Sequence, residues 1–149
     1  MTNSWTHNNE VILSIDDMPK TTIGFVYKIT NITNNKWYIG RKLTTSAATK
    51  VVKGKKKKIR KESDWVDYWS SSPVLLAEIE EKGISNYKRE ILMFVNTKAS
   101  LTYTEEYCLF KTGALFDPNC YNGNIRAKIM KSWFLKTPDL HNQLQRLKL

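Results

Sequence analysis

Hydrophobic and polar positions alternate with a period of two from Phe25 to Thr30, "FVYKIT", the pattern of a strand with one face turned inward. Aromatic and β-branched residues, which suit a pleated surface, dominate it. "NITNNK" follows with turn chemistry, Asn34 and Asn35 being able to take positive φ. Trp37 to Lys42 returns as a second strand. Further along, Trp65, Tyr68 and Trp69 are spaced i, i+3, i+4, so that one helical turn would bury all three. Ser72 and Pro73 then supply an N-cap and a first helical residue, Leu75, Leu76 and Ile79 a buried stripe, and Gly83 a stop. "NYKREILMFV" is a strand with Ile91, Met93 and Val95 on one face and Leu92 and Phe94 on the other, as in a strand covered on both sides. A second helix runs from Ala99 to about Lys111 and ends at Thr112-Gly113. The order is α+β, a small three-stranded antiparallel sheet flanked by helices, with a basic insertion after the first hairpin.

The flanks read differently. Residues 1–22 are polar, with one weak alternation at "VILSI", and form an N-terminal extension. Residues 23–125 hold the pattern of a single domain, interrupted by the insertion at about 50–62. Residues 126–149 have helical spacing broken by Pro138 and form a C-terminal helical tail. In the insertion, seven of the nine residues from Lys53 to Lys61 are Lys or Arg. A like-charge block of this kind is either a disordered loop or a solvated ribbon. Val51, Val52 and Ile59 around Gly54 permit a second hairpin.

Charge sharpens the picture. The formal net charge is +10 over 149 residues, an excess that attracts polyanions in a salt-dependent way. It does not separate DNA from RNA. No basic amphipathic helix and no apolar run of about 18 residues is visible, which argues against a membrane partner. The N-terminus shows no basic segment followed by an apolar one, so a cytoplasmic protein is expected. Cys108 and Cys120 form no CxxC pair, and with His7 and His141 far apart there is no zinc-ligand spacing.

The first hairpin also carries candidate chemistry. A two-residue turn at Asn34-Asn35 pairs Tyr27 with Lys42, Ile29 with Gly40 and Asn31 with Tyr38. Tyr27, Tyr38 and Lys42 then share one face, Arg41 lies on the other, and Gly40 leaves a notch between the tyrosines. Pattern alone leaves two uses open for these tyrosines, packing against a helix or lining a site.

"GFVY" followed after ten residues by "YIG", then a helix with Glu105 after the third strand, then "CYNGN", resembles the GIY-YIG nuclease family over about residues 23–125. "YIGRK", the lysine-rich stretch and "ESDW..YW" are similar to its small standalone phage-type members. The resemblance implies hydrolysis of a nucleic-acid phosphodiester with one divalent ion, Mg²⁺ or Mn²⁺, per site. It implies that Tyr27 helps deprotonate the attacking water, that Tyr38 orients the phosphate or the water, that Glu105 binds the metal, and that Asn122 completes the site. A free tyrosine has a pKa of about 10, so a cation is expected beside Tyr27. On a helical wheel Glu105 falls with Leu101, Cys108 and Leu109, where an unpaired carboxylate is costly to bury, and Glu106 falls about 100° away.

One departure stands out. Many members carry a catalytic arginine about ten residues after "YIG", where this chain has Ala48. Lys42, Arg41 and Arg60 are the candidates to replace it. Lys53, Lys55, Lys56, Lys57, Lys58, Arg60 and Lys61 are expected to hold nucleic-acid phosphates. Double-stranded DNA is the expected substrate, with RNA as a further option. A homodimer would allow double-strand cutting in a homing or DNA-degrading role. The alternative is a basic binding module of the same fold without cleavage.

Overall fold

The computed structural model describes residues 3–126 and 128–149. Its centre is a five-stranded mixed sheet, its strands lying side by side in the order Glu10–Ile12, Trp5–His7, Tyr87–Val95, Gly24–Asn31, Trp37–Leu43. The strands are β1 (Trp5–His7), β2 (Glu10–Ile12), β3 (Gly24–Asn31), β4 (Trp37–Leu43) and β7 (Tyr87–Val95). β3 is the middle of an antiparallel trio with β4 and β7. The sheet is therefore larger than the three strands expected. The short N-terminal alternation forms a hairpin, turned at Asn8-Asn9 with both residues at positive φ, and β1 adds in parallel to β7. The reason is Trp5, which is 1% exposed and packs edge-on against Phe25 and Tyr27. A single tryptophan in a polar stretch leaves no periodic signal.

Two layers cover the sheet. On one face Trp5, Phe25, Tyr27, Ile29 and Ile91 pack under helix α1 (Pro73–Lys82) and Trp65. On the other, Val26, Ile39 and Val95 pack under helix α2 (Lys98–Lys111). Ser72 caps α1 by accepting from Leu75 N, and Thr97 caps α2 by accepting from Ser100 N. In α1 the buried residues are Leu75 and Ile79, while Leu76 is 41% exposed. The stretch around Trp65 and Tyr68 is a turn, closed by Asp67 N donating to Asp64 O, and not a helix. Trp65 is nonetheless fully buried.

The first hairpin differs from its expected register. Tyr27 lies opposite Gly40, Ile29 opposite Tyr38 and Phe25 opposite Lys42. A four-residue loop, Ile32 to Asn35, replaces the two-residue turn, closed by Asn31 N donating to Lys36 O, and only Asn35 takes positive φ there. Buried Asn31 shapes it, its Oδ1 accepting from Thr33 N and Oγ1. The slip is two residues, so every side chain keeps its expected face, whereas a slip of one would have exchanged them. β7 breaks its own alternation. Val26 pairs with Met93 but Tyr27 with Ile91, leaving Leu92 as a bulge. The bulge puts Ile91 with Tyr27 on the α1 side, apart from Met93 and Val95 on the α2 side.

The basic insertion is a ribbon of two antiparallel strands, β5 (Thr45–Val52) and β6 (Lys55–Glu62), forming its own sheet. Lys53 and Gly54 turn it with φ of 52° and 76°, the two positive values a tight hairpin turn needs. The tail is mostly irregular, with a single turn at Lys131–Phe134 and the short helix α3 (Leu140–Gln145) after Pro138.

Candidate active site

Four of the sequence-derived residues, Tyr38, Arg41, Glu105 and Asn122, line one cleft at the outer edge of β4, and Tyr27 lies buried behind it against Tyr38 and Tyr68. Tyr27 and Tyr38 come from the α1 face, Arg41 and Glu105 from the α2 face. Residues 119–122 close the edge as far as Ile39. Trp37 N donates to Asn119 O, Tyr121 N donates to Trp37 O, and Asn122 matches Ile39 twice, Oδ1 accepting from its N at 2.9 Å and Nδ2 donating to its O at 2.8 Å. The Asn122 amide thus serves the backbone of β4 as a further strand would. Beyond Ile39 no strand among the described residues pairs with that edge, and there the two faces open into one cleft of about 480 Å³ lined by Tyr38, Arg41, Tyr68, Glu105, Asn122 and Arg126.

Gly40 is not an open notch. A Cβ placed there would lie 2.3 Å from the Tyr27 hydroxyl and 2.9 Å from Tyr38 Cε1. The phenol of Tyr27 fills the space the glycine leaves. Tyr27 is fully buried, and among the described residues its hydroxyl makes no well-formed hydrogen bond, Tyr68 being its nearest polar neighbour. Burial raises its pKa well above the usual phenol value, and the nearby Tyr68 and Tyr38 add to the shift. The cation expected beside it is elsewhere. Lys42 pairs with Phe25, and its ammonium reaches Asp64 at 2.5 Å and the Tyr68 ring at 4.2 Å. Tyr38 is more open, with its hydroxyl 3.2 Å from Ser71 Oγ, and burial raises its pKa as well.

Glu105 lies 3.8 Å from Arg41 Nε, and Arg41 Nη1 donates to Thr102 Oγ1 at 2.8 Å. Burial pushes Glu105 to about 7, against the pull of Arg41 and with repulsion from Glu106. Both glutamates line the cleft, so Glu106 does not turn away, and it is the more buried of the two at 5% exposure, with Oε2 unpartnered. Among the described residues no group of three His, Cys, Asp or Glu side chains could hold a metal alone. One carboxylate in an open polar cleft does fit Mg²⁺, which keeps several waters and shares its shell with substrate phosphates.

Of the arginine substitutes, Arg41 is at the cleft. Arg60 is not; it is held within the ribbon by Thr45 O and Oγ1, at 2.8 and 2.9 Å from Nη2. Ala48 itself lies on β5 opposite Ile59, in the ribbon and not on a helix. Two cleft residues escaped the sequence reading. Tyr68 was assigned to the core by its helical spacing, yet it stands between Tyr27, 5.9 Å away by ring centroids, and Lys42. Arg126 follows "CYNGN" by two residues, and that closeness to Asn122 was the available signal.

The backbone of Tyr68 is held by Arg89, which has no carboxylate partner within ion-pair distance among the described residues. Its buried guanidinium donates to Val66 O, Tyr68 O and Asn3 O, between the rings of Trp5 and Trp69.

Phenols and a carboxylate beside fixed positive charge suit a polyanionic ester, the substrate class of nucleases. The family model described as "Putative endonuclease segE, GIY-YIG domain" matches residues 5–125, and the chain belongs to this GIY-YIG family. It is therefore a nuclease-type domain with a nucleic-acid substrate. Neither the curated proteins nor the solved structures return a match. No described helix is long and apolar enough to cross a membrane.

Proposed function

We propose that the protein is a divalent-metal-dependent endonuclease that hydrolyses phosphodiester bonds in double-stranded DNA. The observation that carries this reading is the buried, unpartnered hydroxyl of Tyr27, roofed by Tyr38 and Tyr68 beside Glu105 and Arg41. An unsatisfied buried donor costs about 1–3 kcal/mol, and a core position would be filled more cheaply by Phe.

On its own Tyr27 is a neutral phenol that holds its proton. To take a proton from water it must first be a phenolate, its own proton lost to solvent, and positive charge arriving nearby would lower its pKa toward that state. Glu105 would hold the ion, Mg²⁺ or Mn²⁺, with Arg41 as its neighbour. A divalent ion bound there would supply positive charge to the phosphate oxygens and the leaving oxygen. Arg41 takes the place of the arginine missing at Ala48, and Arg126 faces the same cleft. Tyr38 orients the phosphate through its hydroxyl, which Ser71 already positions. Asn122 acts as a positioning residue through the β4 backbone. A role in phage homing or DNA degradation fits these parts, as does a homodimer for double-strand cutting, since one cleft cuts one strand at a time.

The test is supercoiled plasmid with and without Mg²⁺, for the unaltered protein, Tyr27→Phe and Glu105→Ala. Metal-dependent nicking by the unaltered protein and its loss in both variants is the expected result. Nicking that survives both substitutions would remove the site assignment. No nicking of DNA or RNA by the unaltered protein would leave a binding module.

A further inference from the structure

The ribbon is built unlike the rest of the molecule. β5 and β6 make extensive contact only with each other, and no residue of either strand is buried. An isolated two-stranded hairpin is marginally stable in water. This one is weakened further by Lys50 standing directly opposite Lys57, since like charges across a strand pair repel. Something outside the ribbon must offset that repulsion.

The distribution of charge says what shape the partner has. Paired residues share a face, and successive pairs alternate. One face carries Lys50, Lys55, Lys57 and Lys61, the other Lys56, Lys58 and Arg60, with Glu62 at its root. A ribbon lying along one phosphate backbone would use one face and leave the other unpaired. A partner with phosphates on both sides meets both faces. A sheet with its side chains is about 10 Å thick. Entering tip first, it fits between the walls of a major groove about 12 Å wide and is excluded from a minor groove of about 6 Å. At about 3.4 Å per residue, a groove about 8.5 Å deep takes the outermost two or three pairs. These are Val52–Lys55, Val51–Lys56 and Lys50–Lys57, where the charge is concentrated. Val51 and Val52, 66% and 42% exposed beside these lysines, are suited to thymine methyl groups, which lie in the major groove.

The ribbon is also joined to the cleft by a track. The cleft passes Arg41 and Tyr68 into a depression lined by Lys42 and Lys98, and from Lys42 and Leu43, past Asp64 and Glu62, to Lys61 at the ribbon root. We propose that the tip of the β5–β6 ribbon inserts into the major groove of a DNA duplex, with its two cationic faces against the two phosphate walls, while the track carries a strand to the cleft. The proposal rests on the nucleic-acid substrate assigned above and names its form as duplex DNA gripped from within the groove.

The test measures binding of the full chain to a 30-base-pair duplex by fluorescence anisotropy in EDTA, from about 50 to 200 mM salt. Lys55→Gln/Lys57→Gln removes two charges from one face and Lys56→Gln/Lys58→Gln two from the other. Each pair is expected to weaken binding equally and to lower the log–log salt slope by about 1.8, roughly a tenfold smaller loss of affinity over that range. Methyl green, a major-groove ligand, is expected to compete, and netropsin, a minor-groove ligand, is not. Dependence on one face only, competition by netropsin alone, or equal affinity for single-stranded DNA or duplex RNA would each overturn the proposal. Because metal-free binding is read apart from nicking, loss of the cleavage reading leaves these outcomes intact, and the reverse holds as well.

Discussion

The cleft and the ribbon present positive charge in opposite ways. At the cleft Arg41 is engaged with Glu105 and Thr102, and next to it Lys42 is engaged with Asp64 and Tyr68. The polar groups left without partners there are buried ones, Tyr27 and Glu106. In the ribbon nothing is buried, and Lys50 faces Lys57 across the strands. Packing holds the first arrangement in one geometry. The second has its backbone ladder and the Arg60–Thr45 bonds, with like charges left facing each other that the proposed duplex would offset. The lesson is that placement for chemistry costs burial of unsatisfied groups, while grip on a polyanion costs self-repulsion at the surface.

The largest effect that would break this comparison concerns Tyr27. Tyr27→Phe is expected to lower the nicking rate roughly 10²- to 10⁴-fold, the usual range for a lost acid–base group. Since it removes an unpartnered buried hydroxyl, the thermal midpoint should stay level or rise, by up to about 1 kcal/mol of stability. A clear loss of stability with full activity would mark Tyr27 as a core residue.

Next in size is the clamp on Tyr68. Arg89→Leu strands three carbonyl acceptors and is expected to cost about 3 kcal/mol. Measured by denaturant unfolding, it should also reduce nicking by the folded fraction, because the segment carrying Tyr68 is released.

Gly40→Ala drives a methyl group into the Tyr27 hydroxyl and should cost about 1–3 kcal/mol, as overpacked cores do. Combined with Tyr27→Phe, part of that cost should return, a coupling that a double-mutant cycle reads directly. Simple additivity would mean that the hydroxyl does not occupy the space over Gly40.

The smallest expected effect is a pH dependence. Glu78 Oε1 accepts from Asn31, Tyr87 and Tyr121, at 2.7–2.8 Å, and so ties α1 to the segment that holds Asn122. Burial raises its pKa, but these bonds, with Lys82, outweigh burial and leave it below the ordinary carboxylate value. A lowered folded pKa adds stability above the unfolded value, about 4.3, and that stability is lost as pH falls through the lower folded one. Glu78→Gln should therefore cost about 1 kcal/mol near neutrality, with the gap closing below pH 4. A gap that stays constant in acid would remove the ionised carboxylate from the account.

Tyr27, Tyr38, Glu105 and Asn122 were visible in order along the chain, as were two capped helices and the strands of the first hairpin. These are local facts: alternation sets a strand's faces, and caps set helix ends within a turn. Because the hairpin slipped by two, the shared face of the tyrosines survived an incorrect pairing. Other features depended on contacts between distant residues. Trp5 recruited two extra strands, the Leu92 bulge carried Ile91 to the other face, and Arg89 drew Tyr68 into the cleft. The ribbon lay between these cases: its composition announced a polyanion, while the alternation of its charge over two faces required the Lys53-Gly54 turn. Sequence alone determined which residues bear charge and which alternate, since both are properties of neighbours along a chain. Only the tertiary structure decided which phenol is sealed over Gly40 and which cation stands beside Glu105, because packing between separate elements sets those distances.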